Sequence, residues 1–434
     1  MKKRGNILLL VALILSLCLS ILFIPFFGTG DMRYFVKTSA VTNYFGLRGG
    51  YVAFNLNYPP LASVFLWATG LISRTNFPEI WLHILPTIED IHNSHIPIKI
   101  GLVLVLYLFA GLSFLYEKKE RNEPFFKSLG ISTFIFLNPA LILSTTVLGY
   151  VDILLAPTLI LSYYFFEKRK YFLSGISYAV SFMTKLFPIF LFPLFFAYFV
   201  NLTAKKIKIK IDFKNLISFI SGIALVLAGI LSFYDTKTIF QIVKASNQHT
   251  QWLSNNALNF NWILRELFSP ENTAPEPLVL VLKSVFITIL ILFSFKILFE
   301  KKNVKQLLES AVFVMTGYFI FYPGVHENHL IPALILAIIF YVFKPIKEVK
   351  QILLSLSFFV FINLFLFYGV GGKIIGNKEF LIAPRTYFPK TIHTIYLIMS
   401  TLITMWFFKI LVVKLQPVVK KLKVIVNSFY ELLA

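Results

Sequence analysis

Apolar runs recur from Ile7 almost to the end of the chain, many near the roughly 20 residues a helix needs to cross a hydrocarbon core about 30 Å thick. Short polar blocks separate them. The pattern predicts spans at 7–27, 98–116, 125–144, 151–166, 172–184, 186–201, 215–233, 278–299, 307–322, 330–343, 351–368 and 391–412, about twelve in all. Several of these runs are short, which points to broken or tilted helices. No internal repeat or low-complexity tract is visible. The expected fold is an all-α polytopic membrane protein with one transmembrane domain over residues 1–434.

Composition strengthens that expectation. Of 434 residues 57% are hydrophobic and 14% charged, against about a quarter charged in soluble proteins. Cys18 is the only cysteine, so a disulfide scaffold or a cysteine metal site within one chain is excluded. The net charge of +21 would suggest nucleic acid in a soluble protein. Here the Lys and Arg residues sit in short blocks between apolar runs, where they set orientation in a membrane, and no nucleic-acid partner is expected.

Orientation turns on one segment. The start of the chain has the basic flank of a signal peptide, but its apolar run is too long and lacks a small-residue cleavage site, so it reads as a retained span with Met1 in the cytoplasm. The segment 59–73 is apolar but short and opens with two prolines. If it lies on the membrane surface, the basic blocks at 117–121, 167–170, 204–214, 300–305 and 344–350 and the Lys-rich tail all join Met1 inside. Residues 28–98 then form one long external segment with juxtamembrane helices. Residues 145–150, 234–277, 323–329 and 369–390 are external as well, both termini are cytoplasmic, and a prokaryotic plasma membrane is expected.

The conspicuous polar clusters all fall on that external side. Asp31 follows the first span; it either caps the next helix or stands at the water–lipid boundary as a general base, where partial desolvation raises its proton affinity. Tyr58-Pro59-Pro60 reads as a stiffened helix start. Asp152, in Leu148-Gly149-Tyr150-Val151-Asp152, caps a helix or faces a polar cavity. Lys185, with Thr184, interrupts a long apolar stretch near Pro188 and Pro193; a snorkelling lysine is one reading and an anion site the other.

His326-Glu327-Asn328-His329 places its histidines at i and i+3, not the i and i+4 of zinc-protease helices, so no metal is expected there. His92 and His95 repeat the spacing and are likewise not expected to be metal ligands. Phosphate recognition by His326 and His329, with Glu327 fixing a tautomer or pairing a cation, fits better. The loop 246–262, with Trp252 and many amides, suits a sugar or is an ordinary solvated loop with interfacial tryptophans. Arg265 and Arg385 are further phosphate partners on the same side. No Gly-rich P-loop, G-x-S-x-G elbow or DxD pair occurs on the cytoplasmic side, which argues against a nucleotide donor.

Taken in order, Gly30-Asp31 with Arg33-Tyr34, Asn57-Tyr58-Pro59-Pro60-Leu61, Asn138-Pro139, Gly149-Tyr150-Val151-Asp152, Lys185 with Pro188, and His326-Glu327-Asn328-His329-Leu330 resemble the GT-C superfamily of integral-membrane glycosyltransferases. The likeness is to members that use polyprenyl-phosphate monosaccharides, the Alg-type glucosyltransferases of the dolichol pathway and prokaryotic mannosyltransferase-like relatives. It runs from about residue 28 to 345. The resemblance implies that Asp31 deprotonates an acceptor hydroxyl and that a mannose or glucose leaves its lipid phosphate with inversion. It also implies that Lys185, His326 and Glu327 lie near the donor phosphate or the catalytic cavity, and that no metal or other cofactor is needed. Where many relatives have Gly-Gln-x-Asp, this chain has Tyr150, so a side-chain amide is missing; residues after about 345 match no motif.

The expected substrate-binding set is Arg33, Tyr58, Asp152, Lys185, Trp252, His326, Glu327, His329 and Arg385, with Asp31 catalytic. The expected partners are a polyprenyl-phosphate sugar donor, a glycan or lipid-linked oligosaccharide acceptor and membrane lipids. A multispan transporter or flippase is the main rival; such proteins often carry internal repeats and mid-span charges, neither of which is evident here. A polymerase or ligase of lipid-linked sugars would instead place its functional residues in one large late loop.

Overall fold

A computed structural model describes residues 2–433 except 55, 57, 74–77, 79–80, 82–83, 88–89, 91, 204–207, 235, 237–239, 241–251, 269–273, 301 and 371–389. The described chain is almost entirely helical, with two small two-stranded sheets. Seven helices are long and apolar enough to cross a membrane: Asn6–Phe23, His95–Glu120, Phe213–Phe233, Glu276–Phe299, Val304–Phe321, Lys347–Tyr368 and His393–Val424. An eighth is added if Phe125–Phe136 and Pro139–Val147, bent by 42° at the Asn138-Pro139 break, make one span. Asn138 closes that break: its Oδ1 accepts the backbone N–H groups of Ala140 and Leu141.

The expectation of about twelve spans is therefore corrected to seven or eight. The helices Leu155–Glu167, Tyr171–Thr184, Phe187–Phe199 and Ile331–Phe343, which stand where four of the twelve were expected, have 13, 14, 13 and 13 residues. They rise only about 20 Å, short of a core about 30 Å thick. Apolar character misleads at these places because the side chains face protein. In Ile331–Phe343 every side chain but Tyr341 is buried. A helix walled by other helices has no need to match the bilayer. Peripheral and interior helices separate in the same way: 11% of the Asn6–Phe23 window is buried, against 83% of Val304–Phe321.

One end of the bundle collects charge. Glu117 pairs with Arg121, which also reaches Glu123, and Lys127 closes on Glu123. Glu309 binds Lys296 at 2.5 Å and Lys414 at 2.6 Å, joining three helices through one carboxylate. The strands Val200–Thr203 and Lys208–Ile211 form an antiparallel hairpin at this end, held to the 302 turn by Lys302.

The segment after the first helix supplies Asp31–Phe54 and Pro60–Ser73. The second of these has 14 residues, about 21 Å of rise, with Pro60 at its first position. The two helices pack through small polar side chains: Ser39 Oγ donates to Leu66 O and Asn43 Nδ2 to Trp67 O. Their other contacts bring Asp31 to the end of the bundle opposite the charged blocks.

Candidate active site

A backbone clip places Asp31. Gly28 has φ +100°, and a Cβ there would lie 2.4 Å from Leu148 O. That close approach lets Thr29 N donate to Leu148 O at 3.1 Å. Gly149, at φ +76°, makes the reciprocal turn against Met32. Lys99 is fully buried under the clip, and its Nζ donates to Phe23 O, Phe26 O and Val147 O. These carbonyls lie at and just past the end of the first helix and at the end of Ile142–Val147, where helices leave acceptors short of backbone donors. Met32 N and Arg33 N then close on Thr29 O and Gly30 O, and the helix starts at Asp31.

Asp31 is partly exposed, and its carboxylate accepts no hydrogen bond from any described residue. Burial of the surrounding surface raises its pKa above the ordinary carboxylate range; the Lys185 ammonium opposes this rise and the Asp152 carboxylate adds to it. The capping alternative is thus not what the side chain does. The group is a carboxylate of raised basicity that no described residue holds, within electrostatic range of a cation.

Two motifs far apart in sequence interlock next to it. Lys185 Nζ lies 2.6 Å from Asp152 Oδ2, and Asn328 Nδ2 donates to the same oxygen at 3.0 Å. Tyr150 OH and Tyr368 OH both donate to Glu327 Oε1, at 2.6 and 2.7 Å, and the two hydroxyls touch each other. Residues 150 and 152 therefore engage 327 and 328 in step. Tyr150 thereby supplies a hydroxyl donor to Glu327. Lys185 sits at the end of Tyr171–Thr184 in extended conformation, which turns its side chain back to Asp152, over the Phe187 ring. Glu327 and Tyr58 both lie within electrostatic range of Asp31. Tyr58 also packs edge-on against Phe35, and Tyr51 OH holds its carbonyl.

His326 and His329 stand at the rim, half-buried. His329 Nδ1 accepts from His326 N at 3.3 Å, the two rings are 5.2 Å apart, and His329 packs against Phe187. Ser254–Asn255 runs parallel to Val325–His326, and Asn255 Nδ2 approaches His326 Nε2 at 3.5 Å.

Other expected residues are placed elsewhere or differently. Arg33 donates to Pro86 O and Leu85 O, and Lys37 donates to Ile84 O, tying residues 84–86 to the start of Asp31–Phe54. The described part of the amide-rich loop is largely engaged by the scaffold. Asn259 Nδ2 donates to Phe319 O and Asn261 Nδ2 to Phe321 O and Tyr322 O, carbonyls at the end of Val304–Phe321. Those amides cap a helix. Trp252 is half-buried at the start of the stretch that pairs with 325–326. Arg265 stacks on Trp262, 4.3 Å from its ring centre. Arg385 lies outside the described residues. His95 Nε2 meets Pro25 O at 3.1 Å, beside the clip.

Sequence reasoning missed Lys99 and Tyr368. Lys99 carried a signal, a lone lysine at the head of an apolar run; Tyr368 carried none, because its partners are 218 and 41 residues away.

No protein-family model matches the chain, and a search among curated proteins finds no significant relative.

Proposed function

We propose that the protein is a membrane glycosyltransferase of the GT-C type. It transfers mannose or glucose from a polyprenyl-phosphate donor to a hydroxyl of a glycan or lipid-linked oligosaccharide, with inversion, at the external face of a cell membrane. The observation that carries this reading is the free Asp31 carboxylate standing beside the Lys185–Asp152 pair and the 326–329 motif. The resemblance of the ordered motifs supports it.

In this reading the acceptor hydroxyl gives its proton to Asp31 as its oxygen attacks the anomeric carbon. The bond between that carbon and the phosphate oxygen breaks, and the phosphate leaves with the electron pair. Lys185, His326 and His329 meet the leaving phosphate in a water-poor site, where fixed cationic and N–H groups act most strongly. The donor's isoprenoid tail stays in lipid between helices. Holding both substrates against Asp31 supplies the rest of the acceleration.

The test is incubation of purified protein with synthetic polyprenyl-phosphate mannose or glucose and candidate acceptors, with the anomeric configuration of the product read by NMR. Transfer with inverted configuration is the expected result. Retained configuration contradicts the single-displacement reading, and movement of intact donor across vesicles without transfer favours a flippase.

A further inference from the structure

Asp152 and Glu327 are buried, 0% and 4% exposed, and each uses only one carboxylate oxygen. Asp152 Oδ2 takes both Lys185 and Asn328; Glu327 Oε1 takes both Tyr150 and Tyr368. The other two oxygens, Asp152 Oδ1 and Glu327 Oε2, are shielded from solvent and have no hydrogen-bond partner among the described residues. A buried polar atom with no partner is costly, and a native fold that keeps two of them in one site has a use for them.

The surrounding charge says what kind of group they take. Asp152 and Glu327 each lie within electrostatic range of Asp31, and Lys185 is the cation that faces Asp31 and Asp152. A further anion beside Oδ1 or Oε2 is repelled. An ionised carboxylate oxygen is an acceptor only, so the fitting group is a neutral donor. Ring hydroxyls of a neutral sugar are such donors, and Asn328 and Tyr368 hold the two carboxylates in fixed orientation to receive them. Among the described residues no three His, Cys, Asp or Glu side chains are grouped to hold one metal ion.

We infer that Asp152 Oδ1 and Glu327 Oε2 each accept a ring hydroxyl of the transferred sugar, so that the site selects a neutral hexose and rejects a uronic acid. This rests on the glycosyltransferase reading above. Sites built to pair a substrate hydroxyl reject the analogue that lacks it far more strongly than apolar pockets reject a missing methylene.

The experiment uses the full-length purified protein in lipid, as wild type, Asp152→Asn and Glu327→Gln. Each is assayed with the hexosyl donor, its monodeoxy analogues and the matching uronosyl donor, with and without EDTA. The wild type is expected to use one or two deoxy donors and the uronosyl donor at least about tenfold more slowly than the parent. Each variant should slow the parent donor but not the deoxy donor whose missing hydroxyl it reads, so that this discrimination shrinks toward one. Uniform slowing of all donors by both variants overturns the assignment, as does equal use of the uronosyl donor. Loss of transfer in EDTA that a divalent ion restores, weakened in the variants, overturns it in favour of a cation. If one variant fails to fold, as judged by its thermal unfolding, the other carries the test alone. Absence of transfer from any hexosyl donor by the wild type is a different failure: it overturns the glycosyltransferase reading, and this assignment with it.

Discussion

Among the acids of the site, Asp31 is the one whose carboxylate no described residue grips, and its basicity is set by its neighbours. An ordinary aspartate loses its proton near pH 3.9. Burial lifts Asp31 above that, and a base works only when ionised. Transfer should therefore fall on the acid side of the pH profile with an apparent pKa higher than an ordinary carboxylate's. The neighbours give the sign of two further shifts. Removing the opposing charge in Lys185→Met should move the acid limb to higher pH. Removing the like charge in Asp152→Asn should move it to lower pH, because repulsion is lost and Lys185 is released toward Asp31. A pH–rate series on the three proteins checks this; acid limbs that stay together would detach Asp31 from the pair. Tyr150→Phe and Tyr368→Phe each remove one donor to Glu327 Oε1. Each should lower turnover about tenfold, on the scale of one hydrogen bond to a charged group, with the double variant showing less than the product because the hydroxyls share one oxygen.

The elements matter because they deliver these side chains from distant parts of the chain. Gly28 and Lys99 hold the start of Asp31–Phe54 against 147–149, both through backbone carbonyls of that stretch. At Gly28 the obstructing atom is a backbone carbonyl oxygen 2.4 Å from a Cβ, and the positive φ adds strain. Gly28→Ala should thus displace Asp31 and lower transfer at least about tenfold, since an ångström of misplacement is costly in a two-substrate site. Gly130→Ala, where the nearest atom is 4.0 Å away, is the control and should leave transfer unchanged. Lys99→Met takes one donor from each of three carbonyls and should give a loss in kcat with little change in donor KM. Equal kinetics for Gly28→Ala and Gly130→Ala would show that the clip does not position the site.

Asp31, Asp152, Lys185 and the 326–329 motif were readable in the sequence because charged or clustered polar residues between apolar runs have few structural uses, and the fold brings them together. The direction of Arg33 was not readable: whether an arginine turns to a pocket or to the carbonyls of Leu85 and Pro86 depends on where the chain returns 52 and 53 residues later. The loop amides at 259 and 261 read as sugar ligands or as part of a solvated loop, and their helix-capping role was hidden for a related reason. An amide on an exposed-looking loop and one capping a helix 60 residues away have the same composition.

Across the whole molecule, hydropathy overcounted spans because it does not distinguish lipid from protein as apolar surroundings; Ile331–Phe343 is as hydrophobic as a lipid-facing helix yet is enclosed. Interior helices that need not match the bilayer are free to end where the site needs them, which is how Lys185 and Glu327 come to lie at helix ends beside one another's partners. The charged end has a separate task. Glu309 joins Lys296 and Lys414 across three helices. Glu309→Gln should cost about 2 kcal/mol, below the loss expected of a fully buried pair because Lys414 is partly exposed. A lower thermal unfolding midpoint with transfer unchanged at a permissive temperature is the expected outcome, and a loss of transfer at full stability would show that the two ends are coupled.

The role of Asp31 as base is decided by turnover of polyprenyl-phosphate hexose by purified wild type and Asp31→Asn under identical conditions, with thermal unfolding of both recorded. The wild type should transfer, and Asp31→Asn should lose at least about a hundredfold with unfolding unchanged, the scale of a removed general base. Turnover by Asp31→Asn within a few-fold of the wild type would contradict it.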